Sequence, residues 1–281
     1  MKKVALFLVI GLLFVTKVSA EVKPFAELWN NVAYYDSNIE RKGFTSILGR
    51  FEGKVGAYLL DTPVQLYGAY YAMASQSPDY WDNAIYYGPG IRVKPFETMK
   101  YPDWYTAWIP DVKVFYESLS STFLKDNVSG EANKRSDTRY GFDVWHEWNL
   151  DNPDVTAYWG ELWGNLSMRS TNFSYTDFNS YVLYVQPKIG RHLGRGIETY
   201  VRADLTYSGT ADYWLNVLDY GVGVRFEPWR SAYKTSEDSL LKKLKMFVEV
   251  LGVSYLKDKP TDPSKNVSTD VRFGVDFSYG R

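Results

Sequence analysis

From Asp270 to Tyr279 the chain alternates. Val271, Phe273, Val275, Phe277 and Tyr279 are apolar, and Asp270, Arg272, Gly274, Asp276 and Ser278 fall between them. A period of two marks a strand with one apolar and one polar face. A soluble sheet turns the apolar face inward. A transmembrane barrel turns it toward lipid and keeps the charge in the lumen.

The same alternation recurs upstream. Ile197, Thr199, Val201, Ala203 and Leu205 interleave with Glu198, Tyr200, Arg202, Asp204 and Thr206. Tyr220, Val222, Val224 and Phe226 interleave with Asp219, Gly221, Gly223, Arg225 and Glu227. Tyr140, Phe142, Val144 and Trp148 interleave with Arg139, Gly141, Asp143 and Glu147. An unpartnered charge such as Arg202 is costly in a dry core, so the charged face must be wet or ion-paired.

The chain also resembles itself. Tyr80-Trp81-Asp82-Asn83 returns 133 positions later as Tyr213-Trp214-Leu215-Asn216. Gly88-Pro-Gly90-Ile-Arg92-Val-Lys-Pro95 returns as Gly221-Val-Gly223-Val-Arg225-Phe-Glu-Pro228, and Arg139-Tyr-Gly141-Phe-Asp143 as Arg272-Phe-Gly274-Val-Asp276. Glu27-Leu-Trp29-Asn-Asn31 matches Glu161-Leu-Trp163-Gly-Asn165, Lys113-Val-Phe115-Tyr-Glu117 matches Lys245-Met-Phe247-Val-Glu249, and Lys54-Val-Gly56 matches Lys188-Ile-Gly190. Ordered matches at nearly one spacing predict two copies of one half, about 24–152 and 155–281.

Each half reads as six strands. In the first they fall at about 24–35, 45–58, 64–74, 82–94, 111–122 and 138–149. In the second they fall at about 155–168, 180–191, 197–207, 214–227, 244–256 and 269–279. The connections alternate between tight ones, as at Leu60–Pro63 and Gly190–Gly196, and longer polar ones, as at Asp36–Gly43, Lys125–Asp137, Arg169–Thr176 and Lys257–Ser268. Bacterial barrels place short turns on the periplasmic side and longer loops outside. Two long connections, 94–111 and 228–243, fall on the periplasmic side. The second contains Ser236-Glu-Asp-Ser-Leu-Leu-Lys-Lys-Leu244, acidic early and basic late, which predicts a short helix. The expected fold is all-β: a transmembrane antiparallel barrel of about twelve strands, duplicated as six plus six. A soluble sandwich is the competing architecture.

Residues 1–20 read as a secretory signal peptide. Lys2 and Lys3 precede an apolar run from Val4 to Val15, and Val18-Ser19-Ala20 gives a small-residue cleavage pattern. Residues 21–281 then form a single barrel domain. The absence of cysteine excludes disulfides, zinc thiolates and a cysteine nucleophile, and suits an exported bacterial envelope protein. A net charge of -1 gives no reason to expect nucleic acid as a partner. Aromatic residues make up 17% of the chain, as strands and membrane interfaces favour.

The polar face repeats its charges around the expected lumen. Glu161, Lys188, Glu198, Arg202, Asp204, Arg225, Glu249, Arg272 and Asp276 line it in the second half, and Arg92, Arg139 and Asp143 in the first. Neighbouring strands can pair Arg225 with Glu249 or Asp204. Such a lumen either passes a polar, roughly neutral solute such as a glycan or is filled by salt bridges; twelve strands lie between filled and openly aqueous barrels. Trp159, Trp163, Tyr184 and Tyr200 face the same way and could stack on sugar rings. Tyr80, Trp81, Tyr213, Trp214 and Trp229 fit membrane-interface belts. Of the two histidines, His146 lies on the lipid side and His192 sits in a glycine-rich turn. No serine motif, metal cluster or phosphate loop accompanies them, so the expectation is a protein without catalysis or cofactor. A lipid-modifying enzyme using His146 is the enzymatic alternative.

Tyr184-Val-Gln-Pro-Lys188-Ile-Gly-Arg191, Glu198-Thr-Tyr-Val-Arg202, Gly221–Pro228 and Phe247-Val-Glu249 resemble the C-terminal outer-membrane barrels of bacterial exopolysaccharide-secretion and phage-adsorption proteins. The resemblance spans roughly 80–281. It implies a bacterial outer-membrane barrel that serves as a conduit or accessory for envelope glycan, with a narrow diffusion porin or structural barrel as the alternative. Proteins of that group carry a helical-repeat scaffold before the barrel. Here the first strand follows the signal, so a separate periplasmic scaffold protein is the implied partner, alongside membrane lipid and a glycan polymer.

Overall fold

A computed structural model describes residues 23–37, 44–59, 62–76, 83–97, 111–125, 135–150, 157–172, 178–228, 243–257 and 269–280. The expected signal peptide, residues 236–242 of the expected helix and most of the two long periplasmic-side connections lie outside them, while Leu244, expected to end that helix, begins a strand instead.

Twelve strands close into one antiparallel barrel. In chain order they are β1 (Pro24–Ser37), β2 (Phe44–Tyr58), β3 (Val64–Ser75), β4 (Ala84–Val93), β5 (Asp111–Phe123), β6 (Arg135–Trp148), β7 (Tyr158–Thr171), β8 (Phe178–Gly194), β9 (Ile197–Ser208), β10 (Val217–Phe226), β11 (Leu244–Tyr255) and β12 (Thr269–Tyr279). Each pairs with its neighbours in sequence, and β12 closes on β1 with Asn31 opposite Asp276 and Tyr35 opposite Arg272. Closure leaves no sheet edge unpaired, which hydrocarbon demands. Strands of 10 to 17 residues reach the ~9–11 needed to span a bilayer.

The alternation sorts the faces as the sequence predicts. Val201, Val222, Val248 and Phe273 are each more than half exposed on the outside, and Leu66, Phe142, Leu166 and Ile189 join them. Arg92, Glu117, Glu198 and Glu249 lie inside and are buried. An exposed apolar exterior around a charged interior is a membrane-spanning barrel, not a soluble sandwich.

Several strand ends differ from expectation. β7 begins at Tyr158 rather than near 155 and continues to Thr171. β10 begins at Val217, because Tyr213–Leu215 forms a 3-10 turn. Asn216 holds that turn: its side-chain amide donates to Asp212 O at 2.8 Å and Thr210 O at 3.0 Å, and its Oδ1 accepts Ser208 N at 3.0 Å. The β8–β9 connection is tight because Gly194, Arg195 and Gly196 all adopt positive φ, at 88°, 53° and 74°. His192 lies in β8 itself, beside a bulge, rather than in the turn.

Contacts outside the ladders recur in pairs. Lys94 N donates to Pro63 O at 3.0 Å, and Glu227 N to Gly196 O at 2.8 Å. Tyr58 N donates to Lys23 O, and His192 N to Ala157 O. At the opposite rim Ser75 N donates to Asn83 Oδ1 at 2.9 Å and Lys125 Nζ to Ser75 O at 2.9 Å. The corresponding bonds join Ser208 N to Asn216 Oδ1 at 3.0 Å and Lys257 Nζ to Ser208 O at 2.6 Å. Members of each pair stand 132 to 134 positions apart.

Candidate functional site

The lumen is built from inward side chains at every second position of all twelve strands. Within β1–β5 the ends of four strands converge. Arg92, near the end of β4, donates Nη1 and Nη2 to the two carboxylate oxygens of Glu27 on β1, at 2.7 and 2.6 Å, and its Nε bonds Gln65 on β3. Lys113 on β5 also reaches Glu27, at 3.3 Å. Lys54 on β2 meets Glu117 on β5 at 3.3 Å, and Tyr67 and Tyr71 on β3 donate their hydroxyls to the same carboxylate, each at 2.9 Å. The Arg92 guanidinium lies over the Phe25 ring at 4.7 Å.

The second six strands carry a comparable network. Arg225 on β10 donates to Glu161 on β7 at 3.1 Å and to Glu198 on β9 at 2.7 Å. Lys188 on β8 meets Glu161 at 3.3 Å. Tyr200 on β9 donates to Glu249 on β11 at 2.7 Å, and Arg202 reaches the same carboxylate at 2.6 Å. The Arg225 guanidinium lies over Trp159 at 4.3 Å. Glycine makes room in both halves. A Cβ on Gly90 would sit 2.5 Å from the Tyr67 ring, and one on Gly223 would sit 2.4 Å from the Tyr200 ring.

These networks are dry. Arg92, Glu117 and Glu249 are 1% exposed and Glu198 is 0% exposed. A buried charge persists only when paired and hydrogen-bonded, and each of these is. The interior is therefore packed with ion pairs rather than lined by freely hydrated charge at this level.

Arg92, Glu161, Lys188, Glu198, Asp204, Arg225 and Glu249 are buried inside the barrel, and Arg139, Asp143, Arg202, Arg272 and Asp276 share the face of their strands that looks inward, with Asp143 opposite Lys113 and Asp276 opposite Lys245. The predicted partners of Arg225 are wrong. It holds Glu198 and Glu161, while Glu249 and Asp204 are taken by Arg202. Strands in a barrel are staggered, so long side chains reach diagonally and past the adjacent strand. Of the predicted stacking residues, Trp159 and Tyr200 are 0% and 5% exposed and are spent on packing under Arg225 and on Glu249. Trp163 and Tyr184 remain half-buried, their rings 4.5 Å apart. Tyr213 packs against Tyr255 at 5.8 Å beside its 3-10 turn, while Tyr80, Trp81 and Trp229 lie outside the described residues.

A narrow recess opens where the networks leave space. Trp29 on β1, Trp145 on β6 and Trp163 on β7 line it, with Glu52, Lys54 and Asp143. Trp163 donates its indole N–H to Asp143 at 2.8 Å. Trp145 stands opposite Trp163 in the ladder. Sequence reasoning passed over Trp29 and Trp145 as site residues, although both share parity with inward neighbours.

His146 faces outward from β6, its ring 5.8 Å from Trp148. Among the described residues no hydrogen bond joins it to a hydroxyl or carboxylate. His192 is buried, with Nδ1 2.7 Å from Glu198 and Nε2 3.0 Å from Asn149 O.

No family model matches the chain, and no curated protein matches it. Solved structures with similar coordinates include the KdgM porin in complex with disordered oligogalacturonate, at 10% identity and TM-score 0.41, covering 90% of this chain and 99% of that one. An outer membrane channel from Pseudomonas putida F1 aligns at 8% identity and TM-score 0.41, over 94% of this chain and 100% of that one. A BenF-like porin from Pseudomonas fluorescens Pf-5 aligns at 8% identity and TM-score 0.31, over 92% and 99%.

Proposed function

We propose that this protein is a narrow, non-catalytic channel of the bacterial outer membrane, with envelope glycan as its solute, and that its barrel is two copies of one six-strand half. The observation that carries the solute reading is the recess bounded by Trp29, Trp145 and Trp163. Aromatic faces beside a few fixed polar groups form the usual lining of a small-molecule site. Glu52, Lys54 and Asp143 supply donors and acceptors for hydroxyl groups at its wall. The contacts repeated at matching positions in the two halves support the duplication. A polymer cargo would enter from a periplasmic scaffold protein acting as partner.

Planar-bilayer recordings of the purified protein test the channel. The expected result is a small ion conductance that a short neutral oligosaccharide such as cellotriose blocks from one side. Trp29→Ala and Trp163→Ala should each raise the conductance and weaken the block. An unchanged block in both variants removes the glycan and leaves a diffusion porin. The near-zero exposure of Arg92, Glu117, Glu198 and Glu249 favours a second reading, a structural barrel closed by its own ion pairs. Absence of any conductance would establish that reading instead.

A further inference from the structure

Arg139 on β6 and Arg169 on β7 stand directly opposite each other in the ladder. Both face inward, since Asp137 and Ser167 on the same faces are buried. Like charges in facing positions on neighbouring strands destabilise a sheet. Asp137 is the one carboxylate of a described residue within ion-pair distance of either arginine, and Glu117 faces Arg139 across the β5–β6 ladder. Arg139 bonds Asp137 at 2.6 and 2.9 Å and lies over the rings of Tyr71 and Tyr86, at 5.0 and 5.3 Å. Arg169 donates Nε–H to Ser167 Oγ at 3.0 Å, and no carboxylate of a described residue lies within ion-pair distance of it. By contrast Arg92, Arg139, Arg202, Arg225 and Arg272 each hold at least one carboxylate.

The other seam of the barrel shows what the scaffold requires at this place. Arg272 stands where Arg139 does in the repeat, and its ladder partner is Tyr35, which stands where Arg169 does. There the guanidinium lies over a neutral ring, at 5.3 Å. A tyrosine therefore suffices to pack the position. At the β6–β7 seam it is a second guanidinium, half-buried and near the end of the barrel where β7 finishes at Thr171.

We propose that Arg169, with Arg139 opposite it, forms an anion subsite near the end of the lumen where β7 finishes, and that it takes a carboxylate carried by the solute. The two terminal nitrogens of Arg169 offer the planar fork that matches a carboxylate in bidentate fashion. The bound anion supplies the ion-pair partner that Arg169 does not find among the described residues. The subsite rests on the reading of the lumen as the solute path, and adds to it a preference among solutes.

Isothermal titration calorimetry on the full chain in detergent micelles tests it, with D-glucuronate and D-glucose as probes that share a ring and differ in the carboxylate. Glucuronate should bind at least about tenfold more tightly than glucose, and added salt should weaken it. Arg169→Gln should abolish the preference, and Arg169→Lys should keep part of it. Heat-modifiable migration on gels confirms that the variants are folded. Equal binding of the two sugars by the unsubstituted protein, or an undiminished preference in Arg169→Gln, overturns the subsite. Bilayer recordings separate the two claims. Glucuronate binding lost in Arg169→Gln, in a protein that never conducts, refutes the channel and leaves the subsite standing; conductance without a preference does the reverse.

Discussion

Replacing Arg225 by alanine should cost far more stability than a surface salt bridge is worth. The guanidinium holds Glu198, which is 0% exposed, and Glu161, which is 7% exposed, and it covers Trp159 at 4.3 Å. Removing one partner from a buried pair leaves an uncompensated charge, at a cost of about 3–5 kcal/mol. Two neighbours soften the loss: His192 still faces Glu198 at 2.7 Å, and Lys188 still holds Glu161 at 3.3 Å. The low end of that range, roughly 3 kcal/mol, is therefore expected from the charges. The lost stacking on Trp159 adds about 1 kcal/mol. Arg225→Lys keeps the charge but gives up the fork and should lose about 1–2 kcal/mol. Urea unfolding in micelles measures each value, and the fluorescence of Trp159 beneath the substituted side chain contributes to the signal. If the unpaired carboxylate is the cause, Glu198→Gln placed on top of Arg225→Ala should restore at least about 1 kcal/mol, because the buried charge is gone. A loss below about 1 kcal/mol for Arg225→Ala, or no recovery in the double variant, would refute this account of the lumen.

Gly90→Ala and Gly223→Ala should destabilise by similar amounts, about 1–3 kcal/mol each in the same assay, since each new methyl meets the edge of an equivalent tyrosine ring at 2.5 or 2.4 Å. Val222→Arg, at an outward position of β10 that is 58% exposed, should cost about 2–4 kcal/mol when unfolding is measured from lipid vesicles. Its cost in detergent should be smaller, because the micelle lets the guanidinium reach water.

Much of this barrel is legible in the chain, and the reasons are local. A strand has a strict period of two, so Val271 and Arg272 are sent to opposite faces as soon as the strand exists. The same rule placed Glu198, Arg202 and Glu249 inside, and every strand was located to within a few residues. The ends were harder. Tyr213 and Trp214 have strand-forming side chains, yet the amide of Asn216 gathers Thr210 O and Asp212 O and turns the chain before β10 can begin. Partner choice was illegible for a different reason. Parity says that Arg225 and Glu249 face inward, but not that the stagger brings Arg202 to Glu249 and leaves Arg225 for Glu161 and Glu198. Nor does parity say which inward aromatic has free space. Trp159 and Trp163 are both inward on β7, yet Trp159 lies under Arg225 while Trp163 borders the recess.

What the first and second six strands share is chiefly scaffold. Arg92 and Arg225 recur because each knots three strands of its half together, and Asn83 and Asn216 recur because each clasps a loop to the strand before it. Side chains that do the same mechanical work at both places say little about cargo, because cargo does not require the work to be done twice. The informative positions are those where the two halves part. Tyr35 and Arg169 occupy equivalent places, and so do Tyr58 and His192. At the first pair a neutral ring lies under an arginine that Asp270, Asp219 and Asp204 hold, and in the other half a second arginine stands in the ring's place. At the second pair Tyr58 donates to Glu97 at 2.9 Å, while His192 bridges Glu198 and the Asn149 carbonyl deeper in the wall. On the proposed duplication the two walls of the lumen are equivalent except at such departures, and these would set the orientation of the proposed solute. If Tyr35→Arg restored the match between the seams, glucuronate should find two sites instead of one, and calorimetric stoichiometry would double. A stoichiometry that stays at one would mean that the Arg139–Arg169 seam owes its chemistry to more than this pair.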